Sequence, residues 1–331
     1  MNVLVTGGCG FIGSHLIERL LEMPQCNVIA IDNFDDFYEE KIKRKNAENY
    51  IENDRFELIV GDIRDNKLLE LFNGKQIDAI VHIAAKAGVR PSILNPYEYM
   101  DVNVNGTQNL LEFAKNRGIK QFIFASSSSV YGVNKNVPWS EADKVLMPIS
   151  PYASSKVSCE LLGHVYSHLY DIRFIALRFF TVYGPRQRPD LAIHKFSKML
   201  INGDKIPVFG DGTTQRDYTY VGDIVNGIVA ALKYDKTNYE IINLGNCNVV
   251  SLTDMIKTLE NVFNIKANLE YLPEQPGDVP LTFADISKAK DLLNYSPSTS
   301  FELGILKFKE WFFKGIKEQN ASQKMVVNSL V

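Results

Sequence analysis

The sequence predicts an α/β protein: a doubly wound parallel sheet with a smaller C-terminal lobe that binds substrate. Two observations favour this fold class. Strand-like and helix-like segments alternate through the first half of the chain, and the first β-branched run ends in a cluster of glycines. In the second half the alternation breaks up, and glycine and proline punctuate the chain as in a loop-rich lobe. We expect residues 1–180 to form the sheet domain, 181–315 the lobe, and 316–331 a polar tail with the composition of a disordered segment.

The strands are predicted from short apolar runs that turn residues bound. One such run, 241–245, lies inside the lobe segment, so we expect the chain to return there and complete the sheet. The clearest helical patterns are 105–117 and 152–170. The charged stretch 38–53 is interpreted as a solvated helix and loop over the edge of the ligand site. The other predicted strands are 3–6, 28–32, 56–60, 79–83, 121–125 and 174–178.

The composition limits the function classes. The chain has 331 residues, enough for about two domains, and a net charge of −3 that argues against a nucleic-acid partner. No apolar run approaches the length of a bilayer span, and we expect the N-terminus to be a core strand rather than a signal peptide. The four cysteines lack metal-ligand spacing, so we expect no metal, and reduced thiols in a cytoplasmic protein.

A dinucleotide site is predicted at the first strand-to-helix turn, as in a Rossmann domain. The glycines fit two overlapping registers, Gly7/Gly10/Gly13 and Gly8/Gly10/Gly13, and the alternative is a tight turn without a ligand. Asp32 ends the second strand, where a carboxylate binds a ribose diol. This carboxylate would repel a 2′-phosphate, which favours NAD over NADP. The cofactor-binding residues expected here are Gly7, Gly10, Phe11, Ile12, Gly13, Asp32 and Asn33.

Polar and small residues also follow the third and fourth strands, at the carboxyl edge where ligands bind in this architecture. Asp62 can accept a hydrogen bond from an adenine amino group, although it could equally be a surface acid. Two alanines after the fourth strand would let a ribose lie against the backbone, and two cations follow them that could instead be solvated. The other residues expected at this edge are Ile63, Ala84, Ala85 and Lys86 for the cofactor and Arg90 for the substrate.

A catalytic set is predicted from the fifth strand and the helix that follows. Residues 126–129 are four serines at the end of the strand, where unpaired hydroxyls would be costly in a core and could instead line a sugar pocket. Tyr152 and Lys156 are four residues apart and share a helix face. A lysine ammonium beside a phenol favours the phenolate and lowers its pKa, so Tyr152 could exchange a proton with a sugar hydroxyl. Taken alone, this tyrosine–lysine spacing is more often structural.

In these motifs the chain resembles the extended short-chain dehydrogenases/reductases, in the branch of nucleotide-sugar epimerases and dehydratases. The resemblance covers residues 1 to about 313. It implies the fold, tightly held NAD, and a Ser127/Tyr152/Lys156 catalytic set in which Ser127 bonds the sugar O4. The motifs that carry the resemblance are residues 6–13, Ser127 with Tyr152 and Lys156, residues 178–185 and residues 216–221.

The residues after Ser127 separate the reactions of similar enzymes. Similar dehydratases have an Asp-Glu pair here and similar UDP-glucuronate decarboxylases a glutamate at position 129, whereas this chain has Ser128 and Ser129. Without an added acid or base, we expect C4 epimerisation through a transient 4-keto sugar. Thr181 and residues 185–192 resemble bacterial UDP-glucuronate 4-epimerases, as do residues 87–90. By that resemblance Ser128, Ser129 and Thr181 would bond the C6 carboxylate and Arg188 would help to position it.

The resemblance also implies contacts in the lobe and a partner. The segment 206–212 resembles the one that takes uracil, and we expect a homodimer through helices 105–117 and 152–170, although burial within one subunit gives the same apolar pattern. The alternative enzyme is a UDP-glucose/UDP-galactose or UDP-N-acetylhexosamine 4-epimerase. The non-enzyme alternative is a catalytically silent NAD-binding regulator. The lobe residues expected to hold the UDP part are Val208, Phe209, Arg216 and Asp278.

Overall fold

The computed structural model describes residues 1–65, 67–72, 74–144, 147–273 and 279–328. Within these ranges the chain forms one large sheet, helices on both of its faces, and a lobe with two small sheets. The predicted fold class is therefore confirmed.

The large sheet has seven strands, and every pair of neighbours is parallel. Their order is β10-β6-β5-β4-β1-β2-β3, so the sheet runs outward in both directions from the strand that carries the glycine turn. The edge strand β10 pairs with β6 from Tyr239↔Phe174 to Leu244↔Phe179, and it overlaps the expected return at 241–245. The strands are β1 (Asn2–Thr6), β2 (Asn27–Asp32), β3 (Phe56–Val60), β4 (Ala79–His82), β5 (Gln121–Ser127), β6 (Arg173–Phe179) and β10 (Tyr239–Leu244).

Two apolar cores cover the two faces of this sheet. Side chains alternate along each strand, so Val3 and Val5 enter one core while Leu4 enters the other. The first core also holds α1 (Phe11–Leu21) and α8 (Val221–Leu232), and the second holds α5 (Gly106–Arg117) and α6 (Pro151–Tyr170). The other helices of this part are α2 (Glu40–Ala47), α3 (Val89–Leu94), α4 (Pro96–Met100), a π-helical turn (Asp101–Asn105), the 3₁₀ turns Leu68–Phe72 and Ser128–Tyr131, and α10 (Ser287–Leu293).

The lobe has a core of its own, built largely from aromatic side chains such as Tyr183, Phe196 and Phe308. It joins a three-stranded sheet of order β11-β9-β7 and a two-stranded sheet of order β12-β8 to three helices. Its elements are β7 (Thr181–Tyr183), α7 (Ala192–Asn202), β8 (Lys205–Phe209), β9 (Gln215–Tyr220), β11 (Val249–Ser251), α9 (Leu252–Phe263), β12 (Asn268–Leu272) and α11 (Phe301–Asn328).

Two expectations need correction. Helix α11 continues to Asn328, so the described part of the segment expected as a disordered tail is helical. The stretch 38–53 is also less solvated than expected: α2 buries Lys43, Asn46 and Ala47. Asn46 Nδ2 donates to Cys9 O at 3.0 Å, so this helix packs against the glycine turn. None of the helices in the described ranges is both long and apolar enough to cross a membrane.

Candidate active site

A cleft of about 370 Å³ lies at the carboxyl ends of strands β1 to β6 and extends to the start of the lobe. It brings together all the residues predicted to bind the cofactor, the predicted catalytic set, and two of the residues expected to bind substrate. The predicted residues that line it are Gly7, Gly10, Phe11, Ile12, Gly13, Asp32, Asn33, Asp62, Ile63, Ala84, Ala85, Lys86, Ser127, Tyr152, Lys156, Thr181 and Arg188.

The geometry of the glycine turn distinguishes the two possible registers. Gly7 has φ +71°, and a Cβ added to it would lie 2.9 Å from Ala84 N. A Cβ on Gly13 would lie 2.1 Å from the carbonyl oxygen of Gly7. Gly8 instead faces the core, where its Cβ would meet Ala30 Cβ at 2.6 Å. The cleft is therefore lined by the Gly7/Gly10/Gly13 register, in which backbone can approach a ligand closely.

The two acidic residues predicted for the adenosine end are held by different partners. Asp32 accepts from the backbone N–H groups of Cys9 and Phe34, each at 2.9 Å, and burial raises the pKa of its carboxyl. Each of its oxygens keeps a lone pair that a ribose hydroxyl could use. Asp62 lies in a bidentate contact with Arg64, at 2.8 and 3.0 Å, and hydrogen bonds from Arg64 lower the pKa of Asp62 to about 2.

Lys86 lines the cleft, but its charge already has two partners. Its Nζ lies 2.9 Å from Asp35 Oδ2 and 2.8 Å from Glu98 Oε1. Its backbone is fixed as well, because Asn103 Oδ1 accepts from Lys86 N at 2.8 Å and Asn103 Nδ2 donates to Lys86 O at 3.0 Å. Lys86 therefore shapes this wall of the cleft through a fixed backbone and a neutralised ammonium.

The start of α6 positions the predicted catalytic pair. Pro151 occupies the first turn, and the Ser150 side chain caps the helix by accepting from Ala153 N at 3.1 Å. The Lys156 Nζ donates to Ala125 O at 2.7 Å and lies 5.9 Å from the centre of the Tyr152 ring. The Tyr152 and Ser127 side chains line the same cleft, and their interaction favours the phenolate. Strand β5 and helix α6 thus bring all three side chains to one place.

Burial dominates the electrostatics of this group. It raises the pKa of Tyr152, while the interaction with Ser127 and the positive charge of Arg188 act in the opposite direction. Burial also lowers the pKa of Lys156, to about 8. Ser127 and Arg188 therefore favour the phenolate in this structure and burial outweighs them, while the effect of Lys156 on the pKa of Tyr152 stays a prediction.

Only some of the residues expected to contact the sugar C6 group line the cleft. Thr181 and Arg188 line the cleft, and the Arg188 fork bonds Asp190 at 2.8 and 2.9 Å while it lies 5.0 Å from the centre of the Phe37 ring. Ser128 and Ser129 begin a 3₁₀ turn outside the cleft wall. Ser129 Oγ donates to Ser127 Oγ at 3.0 Å, so it contacts the predicted catalytic set through Ser127.

Three of the four residues expected to hold the UDP part are described by the structure, and these three lie outside the cleft wall. The Arg90 guanidinium lies 5.4 Å from the centre of the Phe209 ring, so these two meet at the junction of sheet domain and lobe. Val208 is 2% exposed and its side chain belongs to the lobe core. The Arg216 Nη1 donates to Gln215 O at 2.8 Å. Asp278 lies outside the described residues.

Sequence reasoning missed two residues whose contacts arise only in the assembled fold. Lys43, on the helix expected to be solvated, lines the cleft and donates to Asp35 O at 2.5 Å. Asn103 lies in the π-helical turn and also donates to Ser155 Oγ at 2.9 Å, which ties the fourth-strand loop to α6. Such π turns are frequent at functional sites, but their sequences carry no simple signal. In the described ranges, no group of three or more metal-ligating side chains occurs.

Known proteins of one family match this chain in sequence and in structure. The family model described as GDP-mannose 4,6 dehydratase matches residues 4–308. The UDP-glucuronate 4-epimerase of Thermodesulfobacterium geofontis is 42% identical over 316 residues, which cover 95% of this chain and 97% of that protein. The structure of the UDP-glucuronic acid 4-epimerase from Bacillus cereus, in complex with UDP-glucuronic acid and NAD, matches with a TM-score of 0.90 at 40% identity, over 95% of this chain and 99% of that one.

A third relative binds a different sugar. The structure of the UDP-glucose 4-epimerase from Thermotoga maritima, with UDP-glucose, matches with a TM-score of 0.87 at 32% identity, over 96% of this chain and 100% of that one. The doubly wound sheet and the Ser/Tyr/Lys cleft are those of an extended short-chain dehydrogenase/reductase. Within that class, the chain belongs to the NAD-dependent epimerase/dehydratase family.

Proposed function

We propose that this chain is an NAD-dependent 4-epimerase that interconverts UDP-glucuronate and UDP-galacturonate. Its relatives include 4-epimerases of UDP-sugars, so the reaction type is common to them while the sugar differs. The single observation that supports a uronate is that Arg188 and Thr181 line the same cleft as Tyr152. Nε and Nη2 of this guanidinium bond Asp190, which leaves its Nη1 to donate to the carboxylate of a sugar.

The cleft residues fit NAD. The close packing of Gly7 and Gly13 leaves only backbone where a pyrophosphate would lie, at the N-terminus of α1. Asp32 and Asp62 offer acceptors for the adenosine hydroxyls and amino group, and Asp32 would repel a 2′-phosphate. Bound NAD supplies a hydride acceptor and donor at the sugar C4. Lys156, whose ammonium faces the cleft beside Tyr152, would hold the nicotinamide ribose.

Three side chains carry the proton chemistry in this proposal. Ser127 donates to or accepts from the sugar O4 and fixes it beside Tyr152. The Tyr152 oxygen removes the O4 proton as the C4–H bond breaks, and returns a proton when the 4-keto sugar is reduced from its other face. The positive charge of Arg188, which already favours the phenolate of Tyr152, supports the first step. No net oxidation results.

A uronate substrate adds a constraint that a neutral sugar lacks. Oxidation at C4 makes a β-keto acid, which loses CO₂ when its carboxylate aligns with the ketone π system. Ser128, Ser129 and Thr181 are neutral hydroxyl residues that can fix the carboxylate without protonating it. In this proposal Thr181, which lines the cleft, holds it out of that alignment together with Ser128 and Ser129 from the adjoining turn, and Arg188 balances its charge.

The alternative is a UDP-glucose/UDP-galactose or UDP-N-acetylhexosamine 4-epimerase, and the Thermotoga maritima relative is the observation in its favour. A silent NAD-binding regulator is disfavoured because Ser127, Tyr152 and Lys156 are all present in one cleft. Such a regulator would have no need of the full set.

We also propose a homodimer through α6. Leu161, Val165 and Leu169 form an exposed apolar stripe on this helix, with exposed fractions of 64, 46 and 59%. Tyr97, on the neighbouring α4, is 88% exposed. The apolar side chains expected to pair from α5, such as Leu110 and Phe113, are buried within the subunit, so α4 takes the place of α5 in this proposal.

The test of the proposed function is incubation of the purified protein with UDP-glucuronate, UDP-galactose and UDP-N-acetylglucosamine separately. Anion-exchange chromatography then resolves the 4-epimers. We expect UDP-galacturonate from UDP-glucuronate, with a much lower kcat/KM for the neutral sugars. Turnover of UDP-galactose without any UDP-galacturonate would overturn the uronate proposal in favour of the alternative enzyme. No turnover of any sugar by the NAD-loaded protein would favour the regulator.

A further inference from the structure

The loop that carries Arg188 is anchored at its base to the helix that follows the glycine turn. Arg186 Nη2 lies 2.6 Å from Glu18 Oε1 on α1, and Asn49 Nδ2 donates to the same oxygen at 2.9 Å. One residue earlier, the Nε2–H of His15 donates to Pro185 O at 2.9 Å. Two consecutive loop residues are thus fixed to one helix from 168 and 170 residues away in the chain.

This anchor includes features that cost folding free energy, which indicates that its geometry is required for function. Arg186 has φ +63°, a left-handed conformation that residues other than glycine rarely adopt. Its side chain is 11% exposed, and its Nη1 is buried without a hydrogen-bond partner among the described residues. The same holds for Oε1 of the neighbouring Gln187, which is 2% exposed. Strained backbone and incompletely satisfied polar atoms persist where the surrounding structure requires a particular geometry.

The anchor fixes the direction in which the loop presents Arg188. From its base at Arg186, the loop passes Gln187, whose carbonyl oxygen accepts from His194 Nδ1 at 2.7 Å, and turns so that Arg188 lines the cleft. Beyond it, Leu191 N donates to Arg188 O at 3.2 Å and closes the turn. The backbone of Arg188 is therefore held between the contact to α1 and the start of α7.

We infer that Arg186 is a positioning residue: its ion pair with Glu18 fixes residues 184–191 to α1 and so sets Arg188 to recognise the carboxylate of a uronate substrate. This inference rests on the proposed function. Under this inference α1 contributes to both ligand sites. The N-terminal end of the helix faces the predicted dinucleotide site, and its Glu18 supports the loop at the sugar end of the cleft.

A double-mutant cycle tests whether Arg186 acts through Arg188. The NAD-loaded protein, carrying Tyr152→Phe so that turnover is slowed, is titrated with UDP-glucuronate and with UDP, which lacks the sugar. We expect Arg188→Gln to weaken binding of UDP-glucuronate relative to UDP by about tenfold or more, as for a lost charge-assisted hydrogen bond. Arg186→Gln should weaken it by about fivefold. The double substitution should resemble Arg188→Gln alone within about twofold.

Matched variants separate positioning from a general effect on folding. Glu18→Gln breaks the same ion pair from the other side and should reproduce Arg186→Gln, whereas Arg186→Lys keeps a charge for Glu18 and should retain most of the selectivity. Arg19→Gln, on the same helix, removes an exposed ion pair with Glu22 and should leave the selectivity unchanged. Thermal melts of each variant identify any that fail to fold, in which case Glu18→Gln replaces Arg186→Gln in the cycle.

The experiment separates failure of the positioning role of Arg186 from failure of carboxylate recognition by Arg188. If Arg188→Gln lowers the selectivity for UDP-glucuronate but neither Arg186→Gln nor Glu18→Gln does, the positioning role is overturned and the proposed function stands. The positioning role is also overturned if the Arg186 and Arg188 effects simply add. If Arg188→Gln leaves the selectivity unchanged, recognition of the carboxylate by Arg188 is itself wrong, and the positioning role fails with it.

Discussion

Arg178 on β6 and Glu160 on α6 form a bidentate ion pair that is closed to solvent. Arg178 Nε lies 2.9 Å from Glu160 Oε1 and Nη2 lies 2.8 Å from Oε2, and the two side chains are 1% and 3% exposed. Ser126 Oγ also donates to Glu160 Oε1 at 2.6 Å. Glu160 is one helical turn beyond Lys156, so this pair fixes α6 to the two strands beneath the cleft.

The first prediction concerns the stability that this pair provides. Arg178→Met should lower the free energy of unfolding by about 3–5 kcal/mol, because it leaves the Glu160 carboxylate buried without its cation. Adding Glu160→Leu should recover much of that loss, and urea denaturation measures both effects. Lys205→Gln is the control, since its ion pair with Glu270 is exposed and should contribute no more than about 1 kcal/mol. Equal effects of Arg178→Met and Lys205→Gln would contradict the prediction.

The second prediction addresses the proton transfer. Tyr152→Phe should lower kcat by about 10² or more, because the phenolic oxygen that exchanges the O4 proton is absent, while NAD remains bound to the purified protein. Steady-state kinetics and the absorbance of released NAD measure the two properties. Tyr271→Phe, at a residue that is 63% exposed on β12, serves as the control and should retain full activity. Near-normal turnover by Tyr152→Phe would remove Tyr152 from this role.

The third prediction is a dependence of stability on pH. His82 is 1% exposed between Thr6 Oγ1 at 2.7 Å and Thr107 Oγ1 at 3.0 Å, and burial, with the charge of Lys156, lowers its pKa from 6.5 to about 3. Below pH 6.5 the unfolded chain therefore binds a proton here that the folded chain does not. This residue should lower the free energy of unfolding as the pH falls from 6.5 to about 3, by about 1.4 kcal/mol per pH unit.

Two histidine variants test that slope in urea titrations between pH 7 and pH 4.5. His82→Asn should show a shallower fall of the free energy of unfolding with decreasing pH than the wild-type chain. His168→Asn changes an exposed residue of α6 and should keep the wild-type slope. An unchanged slope in His82→Asn would assign the acid sensitivity to other groups.

The fourth prediction tests the account of the C6 carboxylate. Ser129→Glu places a carboxyl group beside Ser127, whose hydroxyl Ser129 contacts at 3.0 Å. If neutral residues keep the keto acid from decarboxylating, this variant should release some CO₂ and form a UDP-pentose from UDP-glucuronate. Chromatography detects the UDP-pentose, and Ser287→Glu, at an exposed helix start, should form none. Absence of UDP-pentose from Ser129→Glu would weaken this account.

The fifth prediction concerns the apolar stripe on α6. Replacing both Leu161 and Val165 by glutamate should shift the protein from dimer to monomer, because two charges would enter an apolar interface. Size-exclusion chromatography with light scattering gives the mass. Tyr271→Glu, at an exposed aromatic residue elsewhere, should leave the mass of a dimer. A wild-type protein that is already monomeric would reject the proposed interface.

Much of the sheet could be predicted because each strand leaves a local signal in the sequence. Strand β3 has the predicted bounds Phe56–Val60, and β1 and β2 each begin one residue earlier than expected. Apolar runs between turn residues need no knowledge of distant partners. The pattern on α5 shows the limit of this reasoning: its apolar side chains are buried inside the subunit, whereas the stripe on α6 is exposed, and periodicity does not distinguish the two.

The charged parts of the site could not be predicted in this way. Glu160 and Arg178 are ordinary charged residues in sequence, and only the crossing of α6 over β6 makes them a pair. Lys43 lies in a stretch whose polarity indicates a solvated helix, yet it is buried because Asp35 and the cleft offer it partners. The raised pKa of Tyr152 has the same origin, since burial is a property of the assembled fold.

The position of β10 has a consequence for how the protein is made. The edge strand Tyr239–Leu244 comes from the middle of the lobe segment, yet it pairs with β6 from Phe174 to Phe179. A ribosome that has released only the first 238 residues has therefore synthesised every other strand of the large sheet, but β6 still presents an open row of amide and carbonyl groups. Until translation supplies the missing partner, the nascent chain is open to pairing with a neighbouring polypeptide.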